Sequence, residues 1–430
     1  MTDRGSRAEA EWRNQVGSLR SELGLWQAET AHGRPLEKHH SQVRSIATML
    51  ESCAGKTAAW GWNPHLSARD RQEIILDLHH IWDFFRAKLA LRLVDWYREF
   101  LVAADEFAWA CYAPAVANRA DRLGTAAVEE PPLVFLNRLR TPFAQLRGDA
   151  FLELGMSSEQ ARTWPRLIPF PMIGIPWYTT RHLPDLLYIG HEVGHHLEDR
   201  LELADSLRER LGNAGVDEAW SLWLSEVFAD ICGCLFAGEM YAATLFDALA
   251  NTCEVTRDYP PPPLRAQVCI SAVEWIRGHD VALMLKREWQ GPKPSPRQSA
   301  EADKVVDFLL KGSYEQLDGR CLTGLLGLGA DYFDSTHEQA GLLLAGLTPD
   351  VGDTRAIIVA ATAAFRTNPD LFDRCGSAAR ALRKVRSLVP KGIRDTSSDA
   401  HDTDSRHART AGDEIFQLIA NRRRLTAGSG

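Results

Sequence analysis

The chain lacks the marks of several large protein classes. Across its 430 residues no window approaches eighteen uninterrupted apolar residues, so no membrane span is predicted. The first twenty residues are charged and carry no apolar h-region, which argues against a secretory signal and for a cytoplasmic protein. No excess of positive charge exists either: a formal net charge of −8 and a pI near 6.0 give nucleic acid no electrostatic footprint. A repeat of fixed period is missing, which excludes a solenoid or propeller. Gly324, Gly327 and Gly329 have the wrong spacing for a dinucleotide fingerprint, and no strand precedes them. Cysteine is sparse, with eight residues mostly inside apolar helical patterns, as expected of reduced, buried thiols. The one close pair, Cys232 and Cys234, would diverge on a helix and makes a poor metal clamp.

What remains is an ordinary globular balance, 45% hydrophobic and 25% charged, in a chain long enough for two or three domains. Apolar residues recur at helical spacing through most of it. The expected fold class is mainly α (α+β). Residues 1–57 read as a polar helical arm, with His39 and His40 as solvated surface. Residues 58–164 read as an aromatic-rich helical domain whose first helix is capped by Ser67. Glu129–Pro132 interrupts the helical pattern, which resumes over Leu133–Leu154. A core is expected over 165–290, a linker over 291–299, a helical module over 300–392, and a polar tail with a short terminal helix over 393–430.

The chemistry concentrates in Tyr188–Arg200, YIGHEVGHHLEDR. Helical spacing places His191 and His195 one turn apart on one face, where their ring nitrogens can occupy two corners of a tetrahedral metal site. Glu192 is held beside them without ligating, the position a general base needs, and a zinc-activated water is the implied nucleophile. His196 points elsewhere. The helix is expected to start near Pro184 and Asp185 and to run to about Leu211, with Gly212 as its stop. Downstream, SEVFADICG offers Glu226 as third ligand and Asp230 one turn on, able to accept the free N–H of a ligating histidine. Asp217 is the expected cap of that helix. Past a proline run, Tyr259 and Arg265 are the candidate oxyanion donors.

These three stretches resemble the gluzincin metallopeptidases, most closely the CAAX-prenyl-protease and heat-shock-protease family. That family carries His-Glu-x-Gly-His, then Glu-x-x-Ala-Asp, then His-Pro with an Arg five residues after the proline. Here the counterparts are His191–His195, Glu226–Asp230, and Tyr259-Pro260 with Arg265, so Tyr stands where the family has His. The resemblance spans residues 165–280. It implies a zincin-like core with a small edge-strand sheet and a bound Zn2+. It also implies a strand along the cleft that pairs with polypeptide substrate, for which Met172, Ile173, Gly174 and Ile175 are the candidates. The expected function is a soluble zinc endopeptidase. The alternatives are a helical scaffold braced by structural zinc, and a protease kept latent until a partner frees it. The C-terminal helical module is the candidate docking point for such a regulatory partner.

Overall fold

The computed structural model describes residues 4–60, 67–123, 130–145, 170–180, 182–250, 257, 259–392, 406, 408–418 and 420. Its elements run α1 (Arg4–Glu29), α2 (His40–Trp60), α3 (Ala68–Ala90), α4 (Asp95–Leu123), β1 (Leu133–Asn137), β2 (Phe143–Gln145) and β3 (Met172–Pro176). Then come α5 (Tyr188–Arg200), α6 (Ala204–Ala214), α7 (Ala219–Ala250), α8 (Pro262–Arg277), α9 (His279–Glu288) and α10 (Pro296–Lys311). Short helices α11 (Leu322–Leu326), α12 (Ala330–Asp334) and α13 (Thr336–Leu344) lead to α14 (Thr354–Thr367), α15 (Pro369–Arg374) and α16 (Ser377–Leu388). The fold is mainly α with one small mixed sheet, as the helical periodicity predicts.

The sheet divides two apolar cores. Its order is β1-β3-β2, with β3 parallel to β1 and antiparallel to β2. Side chains alternate across it: Val134, Leu136, Ile173 and Ile175 enter the larger core, whereas Leu133, Phe135 and Met172 enter the smaller one. The larger core is continuous from α4 through α16, so the 291–299 segment does not separate apolar interiors. Its last residues already belong to α10, whose N-cap is Ser295. The smaller core joins α1, α2, α3 and the helical residues 408–418, through Ala408 and Ile415.

Several expectations fall here. The expected helix over Leu133–Leu154 begins as strand: LVFLN is buried on both faces, so it carries no alternation to distinguish it from a helical turn, and 146–154 lie outside the described residues. Met172–Ile175 is the middle strand, because the prolines fall at its ends: Pro171 precedes it and Pro176 is its last residue, opposite Asn137. The edge nearest the site is β2. His39 and His40 are not surface groups. Buried His39 approaches Asp105 at 3.5 Å, and Asp105 is held by the buried Arg92 guanidinium at 2.8 Å, while His40 meets Thr30. The helix expected to reach Leu211 breaks at Leu201–Leu203, where Glu202 adopts φ 55°, and α6 ends at Gly215 in the left-handed region. Within the expected polar tail, residues 406 and 408–413 are helical and pack on α2 through Ser52–Asp413 and Lys56–Asp413 contacts, while 393–405 lie outside the described residues. The Ser67 and Asp217 caps form as expected.

Among the described residues one helix, α7, is long and apolar enough to cross a membrane by composition, with 72% of its most apolar window buried inside the protein. It is the central helix of the larger core and carries both acidic residues of the second motif. At Gly238 it bends, with φ 57° and ψ −139°, a conformation suited to glycine.

Candidate metal centre

The site exists because α5 and α7 cross at close range. Gly194 makes this possible: a Cβ there would lie 2.8 Å from the Ala229 Cα and 3.0 Å from the Cys232 Cβ. Gly190, one turn earlier, faces Gly233 and Phe236. Small residues one turn apart on both helices bring the backbones together, and the ligand side chains flanking that seam meet.

Three donor groups converge. His191 Nε2 lies 3.2 Å from His195 Nε2 and 3.2 Å from Glu226 Oε2, and His195 Nε2 lies 3.5 Å from Glu226 Oε1. Bond lengths of about 2.0–2.2 Å to one tetrahedral ion imply ligand–ligand separations of about 3.3–3.6 Å. The observed triangle matches that spacing. Among the described residues no fourth His, Cys, Asp or Glu atom joins the group.

The hydrogen bonds assign the tautomers. Asp230, completely buried, lies 2.9 Å from His191 Nδ1 and accepts a hydrogen bond from its N–H. Ser225 donates its hydroxyl proton to Glu198, so its oxygen accepts from His195 Nδ1 at 3.1 Å. Both Nε2 atoms therefore present lone pairs to each other and to a carboxylate. Three electron-rich atoms at this distance call for a cation, and Glu226 Oε2 is indeed buried with no hydrogen-bond partner. Burial disfavours the His191 imidazolium, yet the hydrogen bonds with Asp230 and Glu226 outweigh it and raise the pKa to about 10. Glu226 responds in reverse: burial pushes it up, but the two histidines bring it down to about 2. The donor set of two imidazoles and one carboxylate suits Zn2+.

Glu192 is buried beside the triangle without belonging to it. Burial raises its pKa against the opposing influence of His191 and His195, and it accepts a hydrogen bond from the Ala144 backbone N–H of β2. Arg265 is not aimed at the vacant side. Its Nε and Nη2 grip Asp230 at 2.6 and 2.9 Å, making it a support of the carboxylate that orients His191. Tyr259, 5.0 Å from that guanidinium and partly exposed, lines the same cavity as His191 and Glu192.

That cavity measures about 570 Å³. Its walls come from the β1–β2 connection, the turn before α5, the second half of α7, the Tyr259–Arg265 segment and α14, which contributes Phe365 and Arg366. The C-terminal helical region thus helps build the site.

Three supporting residues escaped the sequence reading. Tyr241 donates to Asp230 at 2.6 Å, and nothing local announces it, since the bend at Gly238 is what returns it to the site. Glu198 and Ser225 did leave a trace. Glu198 follows His195 by one helical turn, and Ser225 adjoins Glu226. His196 donates to or accepts from nothing in the triangle; its Nε2 meets the Met172 carbonyl at 2.9 Å and ties α5 to β3. Met172, Ile173, Gly174 and Ile175 are buried in the middle strand and present no free edge to a substrate.

No protein-family model, curated protein or solved structure matches this chain.

Proposed function

We propose that the protein is a zinc-dependent peptidase of the gluzincin type, hydrolysing peptide bonds. One observation carries the reading: a buried glutamate with a raised pKa sits next to a three-donor triangle and opens onto a cavity large enough for a peptide segment. His191, His195 and Glu226 would hold the ion. When bound, Zn2+ lowers the pKa of water to about 7 and polarises a carbonyl. Glu192 takes the proton from the attacking water and passes it to the leaving amine, and its raised pKa suits both steps. Asp230, clamped by Arg265 and Tyr241, fixes the His191 ring, and Ser225 with Glu198 fixes His195. Tyr259 is the oxyanion donor, since Arg265 is committed to Asp230. A structural brace would be expected to supply four protein ligands, and three are present among the described residues. Polypeptide substrate is assigned to the outer edge of β2, whose Ala144 already reaches Glu192.

The test is Glu192→Gln. It should keep zinc at one equivalent, measured by elemental analysis, and lose turnover by roughly three orders of magnitude or more in a peptide-library digest. Near-normal turnover in that variant would remove Glu192 from the mechanism.

A further inference from the structure

The cavity continues away from the ligand triangle, past Tyr188, to a charged group that the hydrolytic reading does not use. Asp185 lies on the turn Leu183–Leu187 that leads into α5. It precedes His191 by six residues, roughly 10 Å along the axis. Its carboxylate lines the cavity with the side chain 19% exposed. Among the described residues the nearest opposite charge is His182 Nε2 at 3.9 Å, beyond hydrogen-bond reach. Burial raises the Asp185 pKa, with His182 opposing it, which is the condition of a carboxylate short of a close cation.

Among the described residues the other basic groups lining the cavity are occupied or peripheral. Arg265 is bound to Asp230, and Arg366 is bound to Asp247 and Glu288. Arg140, the third guanidinium, is exposed on the β1–β2 connection. Apolar wall is supplied by the same cavity: Leu245, Leu249 and Phe365 line it, and the Phe365 ring meets His182 edge-on at 4.8 Å. An apolar sleeve ending in a carboxylate is the complement of a long side chain with an aliphatic stem and a cationic head.

We propose that this end of the cavity is a subsite for a Lys or Arg side chain of a peptide substrate, with Asp185 as its counter-ion. Leu245, Leu249 and Phe365 cover the stem. The inference rests on the peptidase reading for its substrate class, but its charge complementarity can be measured without turnover.

Two assays on the full-length, zinc-loaded protein separate the two claims. In the first, a peptide library is digested by the wild type, with Glu192→Gln as the blank. Cleavage sites should be enriched in Lys and Arg at one fixed position from the scissile bond. Asp185→Asn should cut the kcat/KM ratio of a Lys peptide over its norleucine counterpart by roughly ten- to a hundred-fold, while Asp185→Glu should retain the preference. In the second, the same two peptides are titrated into the Glu192→Gln protein by calorimetry, with and without Asp185→Asn. Tighter binding of the Lys peptide, lost in the double variant, supports the subsite even when no cleavage is seen, and that outcome would retire the peptidase reading alone. Cleavage without a cationic preference overturns the subsite and leaves the peptidase standing. Equal binding of both peptides with no cleavage overturns both. If Asp185→Asn unfolds the protein, Asp185→Glu and the wild-type Lys-over-norleucine ratio still decide, since a ratio near one refutes the subsite.

Discussion

Replacing Gly194 by alanine tests whether the helix crossing sets the metal site. A single methyl would stand 2.8 Å from the Ala229 Cα, whereas carbon atoms prefer about 3.5–4.0 Å. The Ala229 Cα is a backbone atom, so no rotamer can relieve the overlap, and α5 and α7 must part by about 0.7 Å. That displacement would carry the His–Glu226 separations from 3.2 and 3.5 Å to about 4 Å, outside what a four-coordinate ion tolerates when bond lengths may vary by only about 0.2 Å. Helix propensity favours the substitution by about 0.5–1 kcal/mol, and overpacking opposes it by about 1–3 kcal/mol. Overpacking wins. The expected result is lower stability by denaturant titration together with a zinc affinity reduced roughly 10–100-fold in chelator competition. Gly17, exposed on α1 with open space at its Cβ, is the control, and alanine there should stabilise by about 0.5–1 kcal/mol without touching zinc. Unchanged zinc affinity in Gly194→Ala would refute the argument.

Other outcomes follow from the same geometry. Tyr259→Phe should keep its zinc and lose roughly 10²–10³ in kcat; a loss confined to KM would point to substrate binding instead. Arg265→Ala strands the buried Asp230 carboxylate and should cost roughly 3–5 kcal/mol, read by chemical denaturation. In the metal-free protein His191 has a raised pKa. Its contribution is complete below about 6.5 and disappears as pH climbs through about 10. Glu226 is lowered, so its contribution is complete above about 4.5 and is lost as pH falls through about 2. Metal-free stability should therefore peak between these limits, and zinc uptake at neutral pH should release a proton, detectable by titration in buffers of different ionisation enthalpy.

The features legible from sequence were those written within one or two helical turns. The spacing of His191, Glu192 and His195, the pairing of Glu226 with Asp230, and the caps at Ser67 and Asp217 all depend on local geometry, and each was found where expected. The sheet was not legible in this way. LVFLN and MIGIP are covered on both faces, so neither shows the alternation that would separate a middle strand from an edge. The break at Leu201–Leu203 has no Gly or Pro to announce it, and a glutamate adopts the positive φ. Arg265 reads as a candidate oxyanion donor because nothing in the sequence says that Asp230, 35 positions earlier, would claim it. Phe365 and Arg366 reach the cavity by tertiary packing alone, across a hundred residues of intervening chain.

Glu226, Asp230 and Tyr241 all ride on α7, on either side of the bend at Gly238. A sliding of that helix by a fraction of an ångström would move the gripping carboxylate, the group that steers His191 and the phenol that secures the steering group as a single mechanical unit. Natural variation at the small residues of the seam could therefore retune which ion is preferred, or how firmly, while every ligand stays the same.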